Sequence, residues 1–222
     1  NLTQEQLARA RFPLGTLSKT EVRERARDPG LVTAEKPDSQ DICFVRDRNK
    51  NGFLRRELGA GEEPGPITDT AGRPLGTHAG LLGYTIGQRE GLGLATGTPL
   101  YVVAIDRPGN RLVVGSREEL LGRTLVAERM NWVSIAPPRE PIRAWAKIRS
   151  RHEPAAVWIR PLADGRARID FDDPQQAITP GQAVVLSSGD MILGGGWIVP
   201  ASDNRRYGLP KAGRWQVGGD ER

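Results

Sequence analysis

The stretch Ile142-Arg-Ala-Trp-Ala-Lys-Ile-Arg-Ser150 decides how the second half of the chain is read. Side chains alternate across a β-strand, so Ile142, Ala144, Ala146 and Ile148 share one face while Arg143, Trp145, Lys147 and Arg149 share the other. The first face predicts a packed core and the second a solvated surface that is basic and aromatic. Working outward, further alternating runs are expected at 124–135, 155–160, 166–171, 183–187 and 191–199. Turn signals separate them at Pro137-Pro138, Asp164-Gly165, Thr179-Pro-Gly181 and Ser188-Gly-Asp190. Six short strands at this spacing predict a small antiparallel β-barrel.

Upstream of it, Leu100-Tyr-Val-Val-Ala-Ile105 and Arg111-Leu-Val-Val-Gly115 flank the turn-like Asp106-Arg-Pro-Gly-Asn110, which predicts two strands joined as a hairpin. Between residues 52 and 97 glycine dominates, with Asp69-Thr-Ala-Gly72, Gly80, Gly83, Gly87, Gly91, Gly93 and Gly97 punctuating short apolar pieces, so loops and short strands are expected. At the start of the chain, Thr3-Gln-Glu-Gln6 and Ser18-Lys-Thr-Glu21 each have the form of a capping box and predict two short helices, the first stopped by Pro13 and Gly15 and the second by Pro29-Gly30. Helices this short are marginal unless packed on something larger, so they read as the margin of another domain. Residues 201–222 are rich in Gly, Asp and Arg with no period, and a mobile tail is expected there. The fold class is therefore mainly β with short helices: a small glycine-rich central domain followed by the barrel.

Composition narrows the setting. In 222 residues, 37% hydrophobic and 27% charged with a mean hydropathy of −0.47, no apolar run is long enough to span a bilayer. One cysteine makes no internal disulfide, and a reducing, cytoplasmic location is the simplest expectation. The formal net charge of +5 permits a polyanionic partner. Residues 139–168 hold eight Lys/Arg and three acids, a local excess equal to the whole net charge. Cations beside exposed tryptophan suit phosphate contact and base stacking, although composition alone favours an ordinary solvated face.

Cys43 lies in Lys36-Pro-Asp-Ser-Gln-Asp-Ile-Cys-Phe-Val45, and a lone cysteine is most often a small buried hydrophobe. The two imidazoles, His78 and His152, lack the spacing of a metal site, so no metal is expected. Gly87-Gln-Arg-Glu-Gly-Leu-Gly93 has the glycines of a phosphate loop without its Lys-Ser/Thr.

Taken in order, Lys36-Pro-Asp-Ser-Gln-Asp-Ile-Cys-Phe44, Gly65-Pro-Ile-Thr-Asp69, Gly72, Gly76-Thr-His78, Gly80, Tyr84-Thr-Ile-Gly-Gln-Arg-Glu-Gly-Leu-Gly93, Leu100-Tyr-Val-Val103, Lys147-Ile-Arg-Ser-Arg151 and Thr179-Pro-Gly-Gln182 closely resemble the bacterial tRNA-specific 2-thiouridylase family. The likeness runs over residues 2–199. The Ser-Gly-Gly-x-Asp-Ser loop of the family's ATP-binding domain is not found in the 222 residues, so the chain resembles the family's C-terminal part. The resemblance implies four segments: 1–50 as the edge of the catalytic ATP-pyrophosphatase domain with its persulfide cysteine, 51–118 as the central domain, 119–200 as a tRNA-binding barrel similar to domain 2 of elongation factors, and 201–222 as the tail.

It also implies chemistry. In the family, ATP with Mg is used by the N-terminal domain to adenylate the C2 oxygen of the wobble uridine, and sulfur then replaces that oxygen. The resemblance makes Cys43 the persulfide carrier, loaded by a sulfur-relay donor protein and discharged by disulfide formation with a second cysteine that these residues do not contain. This piece alone is expected to bind no cofactor and not to turn over. Arg149, Ser150 and Gln182 match the family's tRNA-contacting positions. Arg143, Trp145, Lys147, Gln88 and Arg89 are further candidates for tRNA contact. The rival readings are a stand-alone RNA-binding barrel without sulfur chemistry and an interaction module with an ordinary charged surface.

Overall fold

The computed structural model describes residues 2–36, 52–53 and 63–200. Cys43, its surrounding motif and the expected tail at 201–222 lie outside the described residues. The described residues from 3 to 53 belong to one compact unit, and Leu2 with those from 63 onward to another.

In the first unit both capping boxes form. Thr3 accepts from the Gln6 backbone N–H at 3.2 Å ahead of α1 (Gln4–Arg9), and the Gln6 side chain accepts the Thr3 N–H in return at 2.9 Å. Ser18 and Glu21 repeat the exchange ahead of α2 (Lys19–Arg27) at 3.3 and 2.7 Å. The bonds from Ser18 hold the Glu21 carboxyl below the usual carboxylate range. Gly30 then takes a left-handed φ of 73° and the chain turns away, as Pro29-Gly30 predicts. Neither helix contains a buried residue.

The second unit opens with a four-stranded mixed sheet. β1 (Gly65–Asp69) and β2 (Pro74–His78) form a hairpin, as do β3 (Tyr101–Asp106) and β4 (Arg111–Gly115), and the order across the sheet is β2-β1-β4-β3. The expected hairpin at 100–115 is thus observed. Its partner was not legible: β1 runs parallel to β4, with Ile67 opposite Leu112, because two local hairpins are fused through their inner strands. Ile67, Val102, Leu112 and Val114 are fully buried there, joined by Leu81 and Leu92 from the glycine-rich loop.

Six strands make a closed antiparallel barrel: β5 (Leu121–Trp132), β6 (Ile142–Lys147), β7 (Ala155–Pro161), β8 (Ala167–Gln176), β9 (Ala183–Ser188) and β10 (Met191–Ile198). Around the circle the order is β10-β5-β8-β7-β6-β9. Ala144, Ala146 and Ile148 point inward with Val157, Ile159, Ile169, Val184 and Leu186, while Arg143 and Trp145 face solvent, so the alternation on β6 is as expected. Closure depends on Gly194, Gly195 and Gly196. A Cβ at these positions would stand 2.5 Å from the Asn131 carbonyl, 2.5 Å from the Val184 carbonyl and 2.6 Å from the Glu128 carbonyl respectively.

β5 runs over Leu121–Trp132 rather than 124–135, and two further boundaries differ from expectation for identifiable reasons. β6 stops at Lys147 rather than 150, because residues 149–152 form a turn in which the His152 N–H donates to the Arg149 carbonyl at 3.1 Å. β8 continues to Gln176 past Asp172-Asp173-Pro174, a run that reads as a turn. There the β5–β8 register slips between Gly122 and Thr124, and an irregular ladder tolerates a proline.

Gly195→Ala is expected to lower stability by about 1–3 kcal/mol through overpacking of the seam, and Ile169→Ala by about 2–5 kcal/mol through loss of core packing. Lys147→Ala, on the outer face, should stay within about 0.5 kcal/mol. Urea unfolding of the three variants measures the order. A Gly195→Ala protein as stable as the parent would mean that the seam is looser than described.

Candidate nucleic-acid interface

The outer face of β6 carries its cations unequally. Arg143 forks onto Asp172 with two bonds of 2.8 and 2.7 Å, and its guanidinium carbon sits 5.2 Å from the ring centre of Trp158 on the neighbouring strand. The hydrogen bonds from Arg143 hold the Asp172 carboxyl below its ordinary range, and Asp172 in turn raises the Arg143 guanidinium. Arg160 and Arg168 both bond to Asp170, at 2.9 and 2.7 Å, and Arg166 pairs with Asp164. A charge count along the chain that stops at 168 omits Asp170 and Asp172, which β-sheet register brings back onto the same face. The +5 excess therefore overstates the free charge on this surface.

Of the cations in that run, Arg139, Lys147, Arg149 and Arg151 make no ion pair among the described residues; Arg139 lies ahead of β6 and the other three where it ends. Arg149 is exposed, and its Nη1 donates to the Gln176 carbonyl at 2.8 Å, which fixes the side chain across the end of β8. Ser150 is exposed in the same turn. β6 and β9 pair from Trp145 opposite Ser187 to Lys147 opposite Val185, and β6 then gives way to the turn that holds Arg149 and Ser150. Gln182 is half-buried and backbone-bonded just ahead of β9: its carbonyl accepts from Ile198 N–H at 2.8 Å. Arg149 and Ser150 thus follow the end of β6, and Gln182 precedes the strand that pairs with it. Trp145 is 49% exposed one pair further along β6, beside Ser187, and Arg143 lies beyond it.

The glycine-rich loop reaches this end as well. Gly87 packs on Ala177, just past β8, where a Cβ on Gly87 would meet the Ala177 methyl at 3.2 Å. Gln88 is committed to the loop itself: its Oε1 accepts from Thr85 N–H at 3.0 Å and its Nε2 donates to the Glu90 carbonyl at 2.9 Å. The loop is also stitched to β3, since Gly87 N–H donates to the Val102 carbonyl at 2.8 Å and Val102 N–H to the Gln88 carbonyl at 2.9 Å. Gln88 therefore braces the loop, and the exposed, unpaired cation it carries outward is Arg89.

The same bonds bear on nucleotide binding. A phosphate cradle needs backbone N–H groups free to point at the anion. In 87–93 the N–H groups of Gly87 and Gln88 are used within the protein, on the Val102 carbonyl at 2.8 Å and the Thr85 carbonyl at 3.0 Å. Among the described residues no cluster of three His, Cys, Asp or Glu could hold a metal ion, and no helix is long and apolar enough to cross a membrane. His78 is buried between the Gly80 N–H at 3.0 Å and the Asn110 carbonyl at 3.1 Å, tying the start of the glycine-rich loop to the β3–β4 turn. Sequence reasoning passed over Gln175-Gln-Ala177, which touches the turn at 149–152 and the loop at 87. Nothing in that tripeptide signals a role until the strands are paired.

Comparison with known proteins assigns these parts. Residues 1–47 match the family model described as a tRNA methyl transferase HUP domain, 51–116 that of a tRNA methyl transferase PRC-barrel domain, and 122–198 that of an aminomethyltransferase beta-barrel domain. The chain is 48% identical over 202 residues to the tRNA-specific 2-thiouridylase MnmA of Koribacter versatilis, covering 89% of this chain and 55% of that protein. It is 51% identical over 197 residues to the protein of the same name from Geobacter metallireducens, covering 89% and 53%. Against that of Heliobacterium modesticaldum it is 49% identical over 201 residues, covering 90% and 52%. The chain spans about half the length of the curated relatives it matches. With that likeness running through all three matched segments, the chain belongs to the tRNA-specific 2-thiouridylase family.

Proposed function

We propose that this chain grips tRNA with the end of its barrel and carries, on Cys43, the sulfur that an ATP-dependent 2-thiouridylase transfers to the wobble uridine. What supports the reading is the exposed turn after β6, where Arg149, without an ion pair, is held across the end of β8, on a chain whose relatives are named as tRNA-specific 2-thiouridylases. Unpaired guanidinium groups suit phosphate oxygens, and each contact releases a condensed counterion from the RNA. Ser150 and Gln182 add neutral hydrogen-bonding groups that set register rather than raw affinity.

Cys43 supplies the sulfur chemistry in this reading. A persulfide on it holds a nucleophilic sulfur already tethered, so transfer needs no second diffusional encounter. The terminal sulfur attacks the adenylated C2 and expels its oxygen with AMP; the sulfur–sulfur bond then breaks as the thiolate of a second cysteine takes the Cys43 sulfur into a disulfide, leaving the terminal sulfur on the uridine carbon. That second cysteine is not among these 222 residues, whose one cysteine is Cys43. A sulfur-relay protein that reloads Cys43 and a cytoplasmic setting follow from the same proposal. Activation of the uridine oxygen by ATP is assigned to protein outside residues 1–222, which do not contain the Ser-Gly-Gly-x-Asp-Ser loop.

Four outcomes are expected. Arg149→Ala should weaken tRNA binding and lower the slope of log K against log salt by somewhat under one unit, with the melting temperature held within about a degree or two. Arg143→Ala should leave the slope nearly unchanged because Asp172 already neutralises that cation, whereas Asp172→Asn should free it and steepen the slope. Unchanged binding in Arg149→Ala would remove the barrel end from the tRNA site. In the full-length enzyme, Cys43→Ser should abolish 2-thiouridine formation while ATP consumption on tRNA persists, and normal thiolation by that variant would overturn the carrier assignment. Calorimetric titration of this chain with ATP should show no saturable micromolar binding; such binding would place the activation machinery within it.

A further inference from the structure

Three consecutive residues at the end of β8 hold two different structures. Gln175 Nε2 donates to the Asp173 carbonyl at 2.8 Å, which turns Gln175 Oε1 toward His152, 2.8 Å from Nε2 of its ring. His152 therefore donates from Nε2, and this bond, with that of Arg149 to the Gln176 carbonyl, fastens both ends of the turn at 149–152 to β8. The next residue, Ala177, carries a methyl group that faces Gly87: a Cβ placed on Gly87 would stand 3.2 Å from it.

Ala177 adopts a left-handed φ of 55°. An alanine pays for that conformation with a crowded Cβ, whereas glycine adopts it freely. Local bonds hold it there: its N–H donates to the Leu120 carbonyl at 3.0 Å, and its carbonyl accepts from the Thr179 hydroxyl at 3.0 Å. Asn110, also left-handed at 43°, has a side chain that bonds to the Glu63 and Pro64 carbonyls. Alanine has no such compensation, and what its Cβ provides is the contact with Gly87. A strained residue persists where the surroundings over-determine it, and such residues concentrate at functional sites.

We propose that Ala177 is a positioning residue, whose methyl group seats the loop carrying Arg89 against the barrel end carrying Arg149, so that the two guanidinium groups meet RNA phosphates as one preorganised pair. The proposal rests on the tRNA reading above and adds to it the device that couples sheet and barrel. Two cations held at a fixed separation lose less freedom on binding than two that must each be ordered.

The test is a double-mutant cycle on the full chain, with an unmodified tRNA transcript as probe and melting curves in parallel. Arg89→Ala and Arg149→Ala should each weaken binding, and together by less than the product of their separate effects, a coupling of about threefold or more. Ala177→Gly should leave the melting temperature unchanged or raised, because the strain is relieved, yet weaken binding and abolish the coupling. Ala177→Asn, which keeps a Cβ and tolerates the left-handed region, should restore it. Wild-type affinity and intact coupling in Ala177→Gly would overturn the proposal and leave the tRNA reading standing. Loss of binding together with a lower melting temperature, unrestored by asparagine, would reduce Ala177 to a structural role and overturn it too. A parent chain that fails to bind the transcript would sink the tRNA reading itself, and this proposal with it.

Discussion

The backbone of β10 passes so close to β5 and β9 that Gly194, Gly195 and Gly196 have no room for a side chain, and this contact closes the barrel. Closure does two things at once. It removes the edges that an open six-stranded sheet would expose, and it makes β9 a neighbour of β6 as well as of β10. From the second follows the placement of Gln182, which leads into the strand paired with β6. The candidate interface is thus a consequence of how the sheet closes rather than of any local motif.

Charge along the chain and charge in space part company on this barrel. The run from 139 to 168 looks uniformly basic, yet Asp170 and Asp172 on β8 return to the same outer surface and absorb Arg143, Arg160 and Arg168. Exposed pairs of this kind contribute little to stability, but they neutralise cations that a polyanion would otherwise meet. Arg139, ahead of β6, and Lys147, Arg149 and Arg151, where β6 ends, make no ion pair among the described residues. The larger share of the unpaired charge therefore sits where β6 ends.

Much of the fold was legible because it is written in local rules. The alternation of 142–148, the two capping boxes and the Asp-Arg-Pro-Gly-Asn turn each act within a few residues, and each is found in the structure. The parallel pairing of β1 with β4 was not legible, because it joins two hairpins that are each complete by themselves and depends only on which apolar edges meet. The extension of β8 through Pro174 was hidden by a register slip that no single strand encodes. For the site, Arg149 could be placed on its face from periodicity alone. Its tether to the Gln176 carbonyl, and the pairing that neutralises Arg143, required knowing which strand lies two places away.

Gln88 holds the turn from which Arg89 leaves. In Tyr84-Thr-Ile-Gly-Gln-Arg-Glu-Gly-Leu-Gly93 its amide accepts from Thr85 N–H and donates to the Glu90 carbonyl, and it keeps one further donor and one further acceptor position. Gly87, with φ of 87°, lets the chain approach Ala177 while its N–H closes onto Val102. Arg89 is the one cation of the segment and is exposed, and its five donors on a long side chain make it the residue through which the loop can reach a polyanion.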